Sequence, residues 1–406
     1  MRKYFPFILV IITVIVRLIP AMYTPIVGDL THWWKAGQAV LHGKNPYVGD
    51  GPLYPYPPAW MWIEAGAVWL SQFFHLPFAV VIKIPLIFSD AVIAVLVYVL
   101  SLKQSKTFYK GLFYALNPVA ILITGFHGQF DTLPVCMILL AIFYFKRKQL
   151  KRSGLFLGLG IAIKSFPILL LPLFLIYLKK SKEKITYAFL SLLPILLLLT
   201  PYVVLNFYEV YKSLLSYSGW TDHGWIGIYR AFYWLIHNSI YIPIPYVEGL
   251  LQLSKIIFLC LYTFFLLRFS WSKKQSLLNA TVFIFILFYF IYGGISSQYL
   301  VWILPFIILL NTNLALFYSF FATLALLGYY SFFLPRLLLW LFPFITVSPH
   351  MEQIIKSTVF ENSGQLLKNT PLVHFIRSAL WFYLLTAIVF WLFVGYVLKL
   401  YLTKKQ

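Results

Sequence analysis

Acidic and sulfur-bearing side chains are both scarce in this chain: 11 of its 406 residues are Asp or Glu, and two are Cys. Cys136 and Cys260 each sit inside an apolar run, so a disulfide-built scaffold is excluded and both read as packing residues. No H-E-x-x-H, C-x-x-C, Walker A or dinucleotide fingerprint occurs, which removes the usual zinc, thiol-redox and nucleotide classes. "GLGIAIK" has neither the spacing nor the setting of a phosphate loop. Internal repeats, low-complexity tracts and a polar stretch long enough for a soluble domain are missing too, so residues 1–406 read as a single integral membrane domain.

What the chain has in excess is grease. Hydrophobic residues make up 61% and aromatics 20%. A bilayer core about 30 Å thick takes roughly 20 apolar residues per helix, and such runs recur from Phe5 to Leu400. They are continuous rather than alternating, which favours helices over barrel strands. The fold class is therefore an all-α polytopic membrane protein. The net charge of +21 is clustered in short connectors and termini: Arg2/Lys3, Lys103–Lys110, Lys146–Arg152, Lys179–Lys184, Arg268–Lys274 and Lys399–Lys405. Positive residues gather on the cytoplasmic side of membrane proteins, so this charge is a topology signal, with no nucleic-acid partner implied. Phe5 to Ala21 resembles a signal-peptide core, but "MYTP" is a poor cleavage site and the segment reads as a retained first span.

Parity between these clusters then orders the spans. The first, about 5–22, leads to an external loop at 23–77. Within that loop the Trp-rich segment 59–74 lies at the outer interface, because only one crossing, 78–100, fits before the next basic cluster. Spans at 110–126 and 132–146 flank an external "HGQFD" turn (127–131). Residues 153–178 form a hairpin of two half-helices broken at Lys164–Pro167, since both of its ends are basic. Spans at about 185–205, 249–268, 277–293, 299–311, 314–330 and 376–398 bring the total to about 12, with long external loops at 206–248 and 331–375.

Polar side chains at membrane depth are functional candidates by default. Asp29 in "GDLTHWW" either starts a helix through Ala39 or serves as a general base at the membrane surface. His127, Gln129 and Asp131 offer three groups able to hold sugar hydroxyls or phosphate, while Asp131 alone would also cap a helix beginning at Thr132. Lys164 either meets a phosphate, pairs with Asp90 or snorkels to the interface; Asp90 in the second span calls for a partner such as Lys83 or Lys164. Arg230, Arg336 and Arg377 suit phosphate or interfacial anchoring equally. "HNSI" (237–240) is a lone sequon.

The ordered set "GDLTHWW", "LHGKNPY", "YPYPP", "ALNPVAILITGFHGQFD", "LGLGIAIKSFPILLLP" and "SSQYLVWILPF" (296–306) resembles the GT-C superfamily of polyprenyl-phosphate-dependent glycosyltransferases. The nearest pattern is that of the polyprenyl-phosphate-mannose-dependent mannosyltransferases, including the GPI-type enzymes. The resemblance implies an inverting transfer of a sugar, mannose foremost, from a polyprenyl-phosphate donor to a lipid-linked or glycan acceptor. It implies reaction on the extracytoplasmic face of the cell membrane. Asp29 would be the catalytic base, with His32, Tyr56, His127, Gln129, Asp131, Lys164, Gln298 and Tyr299 binding substrate. Asp29 lacks the second acid two residues away that many relatives carry. No cofactor or metal ligand is assigned, and a divalent cation stays open. The alternatives are a multi-span transporter or lipid flippase, and a glycan polymerase or ligase using lipid diphosphate.

Overall fold

The computed structural model describes residues 4–23, 28–48, 54–102, 107–214, 226, 244–272, 275–333 and 371–403. Positions 334–370 of the expected external loop, Arg230, Arg336, the Asn238 sequon and the side chain of Arg377 lie outside the described residues. Among the described residues the secondary structure is helical, without a strand. The elements are α1 (Phe5–Tyr23), α2 (Gly28–Leu41), α3 (Pro58–Phe74), α4 (Phe78–Val81), α5 (Lys83–Leu100), α6 (Thr107–Ala115), α7 (Pro118–Ala120, continued by a π-helical turn Ile121–His127), α8 (Thr132–Lys146) and α9 (Leu150–Ile163). A 3-10 turn (Phe166–Leu170) leads into α10 (Leu171–Tyr177), followed by α11 (Ser181–Leu205), α12 (Phe207–Leu214), α13 (Ile244–Ser272) and α14 (Leu277–Ile291). A second 3-10 turn (Ser297–Val301) precedes α15 (Leu304–Leu310), α16 (Thr312–Phe333) and α17 (Pro371–Thr403).

Six helices among the described residues are long and apolar enough to cross a membrane: Phe5–Met22, Phe78–Leu100, Ser181–Leu205, Gln252–Trp271, Thr312–Ser331 and Leu380–Leu402. These six do not confirm the expected total of about 12 spans; shorter apolar helices lie at Thr132–Lys146, Phe166–Tyr177, Leu277–Ile291 and Ser297–Leu310. Polar positions bound several of the shorter helices. Asn117 caps α7 and divides the run 110–126, Lys164 divides 153–178, and Asn311 ends α15 after seven residues. A seven-residue helix rises only about 10 Å.

The segment Phe78–Leu100 is the central one, 67% of its window buried, whereas Ser181–Leu205 is 6% buried and faces outward. Two polar clamps hold the centre. Arg17 on α1 pairs with Asp90 on α5 at 2.5 Å and also donates to the Ala115 carbonyl at the end of α6, while Tyr114 donates to the other Asp90 oxygen. Asp90 thus takes neither Lys83 nor Lys164 as its partner, correcting the expectation from sequence. Arg17 suits this place because its planar fork can meet a carboxylate and a carbonyl together.

Small residues set the registers. A Cβ on Gly154 would meet the Tyr187 carbonyl, and one on Gly158 the Ser191 carbonyl, so α9 and α11 run parallel in close contact. Ser153 donates to Ala141 and Gly160 packs over Pro134 and Met137, which makes α8 and α9 antiparallel. The basic residues 146–152 and 180–184 consequently share one end of this three-helix group. Asp131 and Lys164 share the other. The chain does break at Lys164, whose backbone is extended between α9 and the 3-10 turn. Both halves of the expected hairpin start or finish at the basic end.

Candidate active site

The HGQFD turn is built by an unusual helix end. In the π turn the backbone N–H groups of Gly128 and Gln129 both donate to the Ile123 carbonyl, and Gly128 takes φ +83°. That conformation costs L side chains energy and glycine little. Such π turns recur at functional sites. The next residue, Phe130, is fully buried and stacks on Trp60 at 4.0 Å, with Trp33 and Tyr56 edge-on at 5.7 and 4.9 Å. Phe130 therefore plugs the turn into the first loop, whose helices α2 and α3 close on each other through Trp33, Trp60 and the bare backbone of Gly37. "YPYPP" works as a rigid start for α3, with Pro57 as N-cap and Pro58 at the first helical position.

This docking carries Gln129 to Asp29, 100 residues away in sequence. Asp29 lies in the first turn of α2, its carboxylate 45% exposed, and its Oδ2 accepts from Gln129 Nε2 at 2.5 Å. Across the same oxygen, His127 Nε2 stands 3.9 Å away. The Gln129 amide nitrogen also reaches His127 Nε2 at 3.4 Å, and His127 Nδ1 faces the Tyr330 hydroxyl at 3.4 Å. An accepting Nε2 places the ring proton on Nδ1. Burial pulls the His127 imidazole down to about 4; the Asp29 carboxylate works against this and the Lys83 ammonium with it. His127 is thus a neutral ring at physiological pH. Gln129 Oε1 is buried without a hydrogen-bond partner, an acceptor waiting for a donor.

A second cluster stands beside the first. Lys164 Nζ donates to Asp131 Oδ2 at 2.8 Å, and Trp302 Nε1 donates to Asp131 Oδ1 at 2.6 Å. Asp131 makes no side-chain cap to the helix that follows it, so the capping reading fails. The Lys164 ammonium lies over the Phe130 ring at 4.7 Å, Tyr299 at 5.4 Å and Tyr56 at 5.9 Å. Tyr299 and Phe166 sandwich Trp302 at 4.1 and 3.8 Å. The segments 127–131, 164–166 and 299–302 thus converge on one polar cluster with aromatic neighbours.

Of the residues singled out from sequence, Asp29, Tyr56, His127, Gln129, Asp131, Lys164 and Tyr299 come together here. His32 is exposed one turn along α2, and Gln298 is half-buried and accepts from Ser297 Oγ at 3.3 Å. Neither has a contact in these clusters. Trp302 and Tyr330 are site residues that the sequence reading did not single out. "SSQYLVWILPF" contained the first, but an aromatic in an apolar run carries no signal by itself. Asp29 and His127 supply two donors, and among the described residues no group of three or more His, Cys, Asp or Glu side chains is placed to hold a metal ion.

A family model described as glycosyltransferase family 87 matches residues 53–292, a stretch that holds the HGQFD turn and Lys164 and leaves Asp29 and Trp302 outside. GPI mannosyltransferase 1 of Candida albicans is 24% identical over 316 residues, covering 71% of this chain and 75% of that protein. The proteins of the same name from Debaryomyces hansenii and Saccharomyces cerevisiae are 27% and 25% identical, each match covering 39% of this chain and 38% of the relative. The chain therefore matches under two fifths of the length of those two relatives.

Proposed function

The chain belongs to glycosyltransferase family 87, and from that premise we propose that it transfers a mannosyl residue from a polyprenyl-phosphate donor to a lipid-linked or glycan acceptor on the extracytoplasmic side of the cell membrane. The relatives' shared name, GPI mannosyltransferase 1, supports mannose. The observation that carries the chemistry is the partly exposed Asp29 carboxylate, fixed from behind by a buried Gln129–His127 pair. A general base needs both access to the proton and a fixed lone pair. Asp29 has them.

In this reading the acceptor hydroxyl gives its proton to Asp29 as its oxygen attacks the anomeric carbon. The bond from that carbon to the phosphate oxygen breaks, and the lipid phosphate leaves with inverted configuration at the sugar. Negative charge grows on the phosphate, so a positioned cation lowers the barrier. Lys164 is that cation: one N–H is held by Asp131, and an ammonium has three to give. The orphaned Gln129 Oε1 is what a sugar hydroxyl would satisfy.

Depth supports a lipid-borne donor. Extending the register of Gly154 with Tyr187 and Gly158 with Ser191 puts Lys164 beside α11 about 12 Å short of Leu205. Lys164 lies at the end of this group away from the basic clusters, and a donor carried on a lipid reaches a place beside a span from within the bilayer, where a soluble nucleotide sugar does not partition.

Purified protein in proteoliposomes, given polyprenyl-phosphate [³H]mannose and a glycolipid acceptor, is expected to move label into the acceptor with loss of donor. Uptake of labelled donor without transfer would replace this reading with transport, and transfer only from a lipid diphosphate would replace it with polymerase or ligase chemistry.

A further inference from the structure

Lys83 stands at the first position of α5 with no exposed surface. Burying an ammonium is costly unless its donors are used. Its Nζ donates to the carbonyls of Phe126 at 3.0 Å and Gly125 at 3.2 Å. Those carbonyls lie in the last residues of the π turn, immediately before His127. A helix end leaves carbonyls unpaired, and here Gly128 and Gln129 direct their N–H groups to Ile123 instead. A cation at a helix C-terminus meets both the free lone pairs and the negative end of the helix dipole.

The stem of Lys83 matters as much as its head. A Cβ on Gly128 would come within 2.6 Å of Lys83 Cε, so the lysine chain lies flat against the one residue of the turn that has positive φ. Head and stem together fix where the turn leaves the helix. That exit sets His127 and Gln129 relative to Asp29, where the separations are 3.9 and 2.5 Å.

We propose that Lys83 is a positioning residue for glycosyl transfer: it reaches no reacting atom, and it holds the HGQFD turn in the geometry that presents Gln129 and His127 to the base. The inference rests on the Proposed function for its kinetic readout, and on structure alone for a second one. Lys83→Met keeps the stem and the apolar volume and removes the donors.

The test compares wild type with Lys83→Met. Expected are a fall in kcat of about tenfold or more, since misplacement on the ångström scale is costly to a reaction that depends on orientation, and a donor KM within about twofold. Hydrogen–deuterium exchange should accelerate in the peptide covering 125–131, with the peptide covering Asp90 unchanged. A kcat within about twofold of wild type, or exchange unaltered at 125–131, overturns the proposal. Inactive wild type would instead refute the transferase reading, leaving exchange to decide the role of Lys83. If Lys83→Met does not fold, Gly128→Ala attacks the same contact from the turn side and is expected to give the same split. Equal losses in folded yield and in activity, with normal kcat per folded molecule, would make Lys83 structural only.

Discussion

Lys164→Gln, Asp131→Asn and the double variant form a cycle whose outcome follows from the geometry of one ion pair. The pair is short, 2.8 Å, with side-chain exposures of 10% and 0%. Taking away one member of such a pair strands the other charge where water cannot solvate it, which costs about 3–5 kcal/mol. Asp131→Asn leaves an ammonium against three rings; Lys164→Gln leaves a carboxylate with the Trp302 indole as its remaining donor. The double variant leaves two amides that can bond to each other, so its loss should fall well below the sum of the singles, with a coupling of about 1–3 kcal/mol. Thermal unfolding of the detergent-solubilised variants reads this directly. The same measurement with Lys164→Gln and Asp90→Asn should be additive, because Asp90 is held by Arg17 and Tyr114. Additivity in the first cycle or coupling in the second would refute the assignment of partners.

Asp90→Asn should by itself cost about 3–5 kcal/mol in unfolding measurements, by leaving Arg17 unpaired, while donor affinity of the folded fraction stays near wild type. Gly158→Ala should lower stability by about 1–3 kcal/mol, since its Cβ would lie 2.6 Å from the Ser191 carbonyl and α9 would be pushed off α11. Burial raises the Glu64 carboxyl well above 4.5, opposed by the hydrogen bond from Tyr54, so the native state keeps a proton that the unfolded chain releases. That stabilisation is complete below about pH 4.5 and fades as pH rises toward the native value. Thermal scans from about pH 5 to about pH 8 should show wild type losing stability relative to Glu64→Gln; parallel curves would mean that Glu64 is ionised.

Much of the helical order was legible because bilayer helices announce themselves in apolar runs, and the break at Lys164 was legible because basic clusters at both ends of the run put both ends on one side of the membrane. The total of about 12 spans is not confirmed, and the break at Asn117 inside the expected span 110–126 was hidden because hydropathy averages over a single polar residue. Polar residues at depth pointed to a set that the fold brings together, Asp29, His127, Gln129, Asp131 and Lys164, but not to its pairing. Lys83 and Lys164 are interchangeable in a string as partners for Asp90. Only the crossing of α1 against α5 and α6 gives Asp90 to Arg17, and only the antiparallel α8–α9 contact gives Asp131 to Lys164. Trp302 and Phe130 were invisible for a different reason. In a chain that is 20% aromatic, composition hides the rings that shape a site among those that merely fill a core or meet lipid.

The central claim is that Asp29 is the base of a glycosyl transfer, and single-turnover transfer from polyprenyl-phosphate [³H]mannose by wild type and Asp29→Asn tests it most directly. Asparagine keeps the size of the side chain but cannot take the proton, and a general base contributes about 10²–10⁴-fold. The account predicts a loss in that range in a protein that still unfolds at the wild-type temperature and still binds donor. Transfer by Asp29→Asn within about threefold of wild type would contradict it.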